Sequence, residues 1–162
     1  MKLVRYGEIG SEKPGLMVGD TLRDLSAHLD DITGATLDDA TLARLRDLDP
    51  ATLPAVAGNP RIGACVGNIG KFLCIGLNYS DHAAETGAAI PEHPILFFKA
   101  NSAIVGPNDD VMMPRGSTHV DWEVELGVVI GKKAKYVSRE NALDHVAGYC
   151  VVNDVSERYF QT

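Results

Sequence analysis

The sequence predicts a mostly β fold of the α+β class. Short runs rich in apolar and β-branched residues, bounded by Gly, Pro, Asn or Asp, recur from Lys2 to Asp154. Only three segments, opening at Thr36, Ser80 and Ser138, carry the caps and spacing of helices. The stretch from Pro54 to Pro60 divides the chain into a small β-rich unit, residues 1–57, and a second unit, residues 61–162.

The first unit opens on an alternating strand, Lys2 to Tyr6. Gly15 to Val18 is a second strand, and Gly19-Asp20 is a hairpin turn into a third, Thr21 to Leu25. Thr36 is the expected N-cap of a helix whose first turn is acidic, as the helix dipole favours. Leu37, Leu42, Leu45 and Leu48 form its apolar face, and Asp49-Pro50 ends it. Nothing in this unit carries chemistry, and His28 is expected to be structural.

In the second unit, Phe72 to Gly76 reads as a buried strand. Ser80 caps a short helix that Gly87 ends. His82 and Glu85 lie three residues apart, so a helix puts them on one face. A carboxylate bonded to one imidazole nitrogen makes the other more basic, as a general base requires. The same pair also suits a surface ion pair. Pro94 to Lys99 is a strand, and Lys99 either meets an anionic ligand or snorkels at the strand end. His93 is a loop residue, and His119 is a weaker candidate for the site.

Asp121 to Gly131 reads as one strand, in which Glu123 and Glu125 share a face while Val124 and Leu126 point into a core. Two carboxylates side by side repel unless a cation or a shared proton neutralises them. Asp154, at the end of the strand-like run Gly148 to Asp154, adds a third. Three oxygen donors without Cys or His suit a hard cation, Mg²⁺, Mn²⁺ or Ca²⁺. A solvated edge strand with Asp154 capping a turn gives the same pattern. Lys132 to Lys135 is a solvated basic turn. Between the two acidic runs, Ser138 caps a helix with Leu143, Val146 and Ala147 on its apolar face and His145 toward solvent.

The apolar fraction of 45% is enough to bury a core. A net charge of −7, spread along the chain, argues against nucleic-acid or anionic-membrane partners. No apolar run approaches the roughly 18 residues of a spanning helix. The N-terminus lacks the apolar core of a signal peptide, so a cytoplasmic location is expected. Cys65, Cys74 and Cys150 are an odd set in apolar settings, expected to be buried reduced thiols. No closing strand or terminal helix follows Asp154, so the 162 residues are expected to belong to a longer chain.

Four motifs in order, Gly76-Leu77-Asn78-Tyr79-Ser80-Asp81-His82-Ala83-Ala84-Glu85, Phe97-Phe98-Lys99, Asp121 to Gly131, and Val152 to Arg158, resemble the fumarylacetoacetate hydrolase family over residues 61–162. The first unit is similar to the small N-terminal domain of prokaryotic members, among them ureidoglycolate lyases and 2,4-diketo-3-deoxy-L-fuconate hydrolases. The resemblance implies that residues 61–162 form the N-terminal part of a mixed β-sandwich roll. It implies a Mg²⁺ or Mn²⁺ ion on Glu123, Glu125 and Asp154, and a catalytic dyad of His82 and Glu85. Asn78, Tyr79 and Lys99 become candidates for substrate contacts. It further implies a homodimer acting on a small 2-oxo or 2-hydroxy acid. Such a dimer would hydrolyse a C–C bond of a diketo acid or release urea from ureidoglycolate. Isomerase or decarboxylase chemistry, and a non-catalytic metal-stabilised binding protein, are the alternatives. Leu77 stands where many members have Arg, which bears on specificity. The family's downstream Gly-Lys segment and Thr-Pro-Gly loop are not in this chain.

Overall fold

The computed structural model describes residues 1–161; Thr162, the last residue of the second expected unit, lies outside them. In chain order the elements are β1 (Lys2–Tyr6), β2 (Lys13–Val18), β3 (Thr21–Asp24), α1 (Asp39–Arg46), β4 (Leu73–Gly76), α2 (Ser80–Thr86), β5 (Ile95–Phe98), β6 (Val120–Asp121), β7 (Val124–Ile130), β8 (Val146–Asn153) and β9 (Ser156–Glu157). The fold is α+β and mostly β, as its sequence predicts. It divides into two compact units, one of Met1–Asn68 with the chain from Val105 onward, the other Ile69–Ile104.

In the larger unit, β1, β2 and β3 form an antiparallel sheet, with Leu3 opposite Leu16 and Met17 opposite Leu22. The β2–β3 turn is Gly19-Asp20, with Val18 paired to Thr21, and Gly19 has a φ of +57°. The expected linker after Pro54 lies along β3: Asp24 N–H donates to Pro54 O and Val56 N–H to Leu22 O, both at 2.9 Å. Leu16, Leu25, Leu29, Ile32, Leu37, Leu42, Leu45 and Leu53 make the core. Of the expected apolar face, Leu42 and Leu45 are on α1 and buried, while Leu37, before the helix, and Leu48, after it, join the core from outside the helix, Leu48 only partly buried. The cap is not Thr36, whose hydroxyl is used within the preceding turn, donating to Asp31 O at 2.7 Å. Asp38 caps the helix instead, accepting from Thr41 N–H at 3.0 Å.

Strands β7 and β8 pair antiparallel from Val124–Asn153 through Gly127–Cys150 to Val129–Gly148. Val129 and Ala147 pack on the N-terminal core. The expected helix from Ser138 is not formed. A single 3-10 turn, Ala142–His145, occupies its place, and Val146 and Ala147 already belong to β8. Pairing with β7 gives alternate residues of β8 cross-strand hydrogen bonds, whereas a helix this short carries an unfavourable nucleation cost. His145 is half-buried on that turn with its Nδ1 shielded from water, so it does not face solvent as expected.

Two burial expectations fail in the same way. Val124 and Leu126 are 63% and 62% exposed, so they do not enter a core. The inner face of this hairpin carries the smaller residues Gly127, Val129 and Gly148, which allow it to approach the N-terminal core, and the larger apolar residues fall outside. In the smaller unit β4 and β5 pair antiparallel, Cys74 opposite Phe97. Leu73 and Ile75, expected to be buried, are exposed, because a two-stranded sheet covers neither of its faces.

Candidate active site

The acidic run is broken into two strands. Val120 and Asp121 pair with Glu157 and Ser156, while the longer ladder starts at Val124. Trp122 and Glu123 form the step between them, so the single strand expected over 121–131 is two. The step is tied down on both sides: Glu123 N–H donates to Asn153 Oδ1 at 3.1 Å, and Asp154 N–H donates to Glu123 O at 2.8 Å.

This register decides which way the acids face. Val124 is opposite Asn153 and Glu125 is opposite Val152, so Glu123 falls opposite Asp154. Directly opposed residues share a sheet face, and so do residues two apart. Glu123, Glu125 and Asp154 therefore lie on one face, and all three are half-buried while Val124 and Asn153 are exposed. Carboxylate oxygens alone, on one half-buried face, are the donor chemistry of a hard-cation site. Among the described residues, however, no three His, Cys, Asp or Glu groups are drawn together closely enough to hold an ion.

A cation of the protein's own stands at this step. Arg158 Nη2 is 2.8 Å from Asp121 Oδ2 and 2.7 Å from Glu123 Oε1. Asp121 first, and Glu123 with it, hold the Arg158 guanidinium charged against a burial that opposes it. Ser156 Oγ donates to Glu123 Oε1 at 3.0 Å. Glu157, one residue before Arg158, accepts from Ser117 Oγ at 2.5 Å. Burial alone would raise the Glu157 carboxyl, but Ser117 and the Phe160 N–H outweigh it and keep it below the usual carboxylate range. Arg158 and Ser156 were not singled out from sequence. The signal available was the Val152 to Arg158 motif itself, which holds Ser156 on β9 and Arg158 just after it.

The second set of candidates lies in the smaller unit. Leu77 adopts a φ of +49°, a left-handed conformation that costs a non-Gly residue about 1–2 kcal/mol. It turns the chain from β4 into α2, so that Asn78 and Tyr79 precede the helix and are exposed. Tyr79, not Ser80, occupies the N-cap position, and it makes no side-chain capping bond. Gly87, at a φ of +68°, ends the helix as expected. His82 and Glu85 are exposed on α2, and no hydrogen bond joins their side chains among the described residues. Lys99, just after β5, is half-buried and its N–H donates to Phe72 O at 3.2 Å. His119 is exposed and stacks on Tyr159 at 6.1 Å between ring centroids, and His93 is an exposed loop residue.

Residues 71–162 match the model of the fumarylacetoacetate hydrolase C-terminal domain. A curated relative from Burkholderia cenocepacia strain HI2424, provisionally named a hydrolase, is 62% identical over 162 residues, 99% of this chain and 57% of its own. A crystallised fumarylacetoacetate hydrolase from Exiguobacterium antarcticum is 31% identical with a TM-score of 0.79, over 99% of this chain and 58% of its own. Maleylpyruvate hydrolase from Sphingobium sp. SYK-6, solved with manganese(II) and pyruvate, is 26% identical with a TM-score of 0.76, over 98% and 60%. A 2-hydroxyhepta-2,4-diene-1,7-dioate isomerase from Mycobacterium marinum is 28% identical with a TM-score of 0.63, over 99% and 56%. The fold and the domain match place the chain in a class of β-rich proteins that includes hydrolases and isomerases of small organic acids. It belongs to the fumarylacetoacetate hydrolase family. The chain spans about 57% of the length of the curated relatives it matches. Among the described residues no helix is long and apolar enough to cross a membrane.

Proposed function

We propose that this chain carries the metal-holding part of an enzyme that cleaves a small 2-oxo acid, with hydrolysis of a C–C bond in a diketo acid as the leading reaction. The observation that carries it is the single half-buried face shared by Glu123, Glu125 and Asp154. These three carboxylates would hold a Mg²⁺ or Mn²⁺ ion. When bound, the ion supplies Lewis acidity toward the oxygens of a chelating 2-oxo acid. The manganese and pyruvate in maleylpyruvate hydrolase support both the cation and the substrate class. The hydrolases and isomerases among the relatives favour diketo-acid hydrolysis over urea release from ureidoglycolate, with isomerisation as the second reading.

His82 is the proposed base, taking a proton from water or from the substrate carbon, and Glu85 orients its imidazole. Asn78, Tyr79 and Lys99 are the proposed substrate contacts; the Lys99 ammonium suits a carboxylate. Arg158 balances the charge of the acidic face by keeping hold of Asp121 and Glu123. The domain organisation proposed is an appended β-rich domain over residues 1–57 followed by the catalytic domain from Arg61. A homodimer in the cytoplasm is the proposed setting.

The test is turnover by the full-length protein, with Mn²⁺ and with chelator, on acylpyruvates, oxaloacetate, ureidoglycolate and a 2,4-diketo-3-deoxy sugar acid. Manganese-dependent turnover of a diketo acid is expected, falling at least about 100-fold in both Glu125→Gln and His82→Ala. Turnover that survives chelation, or that His82→Ala leaves unchanged, would overturn the corresponding role. Manganese binding without turnover of any compound would favour the non-catalytic reading.

A further inference from the structure

Two neighbours meet Glu123 at the same atom. Ser156 Oγ donates to Glu123 Oε1 at 3.0 Å, and Arg158 Nη2 stands 2.7 Å from that oxygen. Both are placed by the backbone. Ser156 lies directly across β6–β9 from Asp121, and Glu123 lies across from Asp154. Ser156 is therefore the diagonal neighbour of Glu123 on the acidic face. It is only 9% exposed, so water competes little for its hydroxyl. Arg158 is anchored independently of Glu123. Its backbone N–H donates to His119 O at 2.9 Å. Its Nε and Nη2 donate to Asp121 Oδ2 at 3.0 and 2.8 Å, and its Nη1 donates to Gln161 Oε1 at 3.2 Å.

The consequence is a division between the two oxygens of one carboxylate. An ionised carboxylate oxygen offers about two lone-pair sites. On Oε1 the Ser156 hydroxyl takes one, and the guanidinium charge repels a divalent ion from the other. Oε2 is the oxygen that remains to meet a cation.

We propose that Ser156 is a positioning residue for Glu123, and that with Arg158 it makes Glu123 a one-oxygen ligand through Oε2. The inference rests on the carboxylate metal site proposed above and adds which ions that site prefers. Calcium gathers about six to eight oxygens and often takes both oxygens of one carboxylate. Magnesium and manganese take an octahedral set of single oxygens. A Glu123 restricted to one oxygen therefore favours Mg²⁺ and Mn²⁺ over Ca²⁺.

The test is Mn²⁺ binding to the full-length protein, read from the electron paramagnetic resonance of the free ion, with Ca²⁺ as competitor. Ser156→Ala should weaken Mn²⁺ binding about 10-fold or more, the usual effect of losing a partner that orients a ligand. Ser156→Thr keeps the hydroxyl and should bind within about twofold of wild type. Ser156→Cys is close to serine in volume but a weak donor, so it should lose affinity as well. Ser117→Ala is the control for damage to β9. It removes the buried hydroxyl that bonds Glu157 and leaves Glu123 untouched, so Mn²⁺ affinity should not change. In Arg158→Gln the lost charge acts alike on both divalent ions, so their ratio reads the ligand geometry. Calcium should gain about fivefold relative to manganese. The proposal is overturned if Ser156→Ala and Ser156→Cys bind Mn²⁺ as wild type does. It is equally overturned if Ser117→Ala loses as much as Ser156→Ala, or if Arg158→Gln leaves the ratio unchanged. Wild-type protein that binds no Mn²⁺ would overturn the carboxylate site itself, and this role with it.

Discussion

Glu12 shows how single residues tie the larger unit together. Its carboxylate is 8% exposed and lies between two guanidinium groups, 3.3 Å from Arg5 Nη2 and 3.0 Å from Arg61 Nη1. Arg61 in turn meets Asp109 at 2.5 Å, and Arg5 meets Asp31 at 2.7 Å. The chain thus joins β1, the segment after Pro60 and the start of the later residues through alternating charges. Burial by itself would raise the Glu12 carboxyl, but backbone N–H groups, Arg61 and Arg5 together hold it below the usual carboxylate range. For Asp109 the Arg61 bond comes first and lowers it as well. A carboxylate depressed by folding adds stability above its unfolded value, about 4.3 for Glu and 3.9 for Asp, and loses it as pH falls through the folded value. The melting temperature of the wild-type chain should therefore fall steeply below about pH 4.3. Glu12→Gln should melt several degrees lower at pH 7, with the gap closing as pH falls through the depressed folded value of the Glu12 carboxyl. Calorimetry across that range checks it; a gap that stays constant with pH would mean that Glu12 acts through packing alone.

Elements differ in how much of their placement local sequence decides. The β2–β3 hairpin was legible because Gly19-Asp20 fixes its own turn chemistry. The apolar face of α1 was legible because leucine spacing is local. The shared face of Glu123 and Glu125 followed from the period of two, which holds through the step at Trp122 because Glu123 stays bonded to Asp154 and Asn153. Adding Asp154 to that face required the β7–β8 register, which only the structure supplies. The segment from Ser138 misled because its helix signal is weak and its rival, pairing with β7, is non-local. The α1 cap misled because two acceptors compete over three residues, and Thr36 was already engaged by Asp31 and Thr33. Asp38→Ala should therefore lower the urea midpoint by about 0.5 M, while Thr36→Val should leave the helix start unchanged. Hydrogen exchange at Thr41 N–H separates the two: it should quicken only in Asp38→Ala.

Over the whole molecule, apolar residues fall into two populations that composition cannot tell apart. One is the leucine-rich core built by the sheet β1–β3, α1 and the inner edge of the β7–β8 hairpin. The other is on open sheet faces: Leu126, Val128, Ile130 and Val151 on the hairpin, and Phe97 and Phe98 on β5, with Val151 82% exposed. Period two separated the hairpin's faces correctly, but hydrophobicity pointed to the wrong face as buried, since the inner face is lined by Gly127, Val129 and Gly148. Buried area rather than residue type should then govern stability. In the 162-residue chain, Leu45→Ala removes a side chain 2% exposed and should cost about 3 kcal/mol through lost burial and a residual cavity. Leu126→Ala removes the same atoms from a residue 62% exposed and should change stability by less than about 0.5 kcal/mol. Urea denaturation of both variants measures the difference. A Leu126 cost approaching that of Leu45 would show that the outer face of the hairpin is covered in solution, and its dependence on protein concentration would tell whether a second copy covers it.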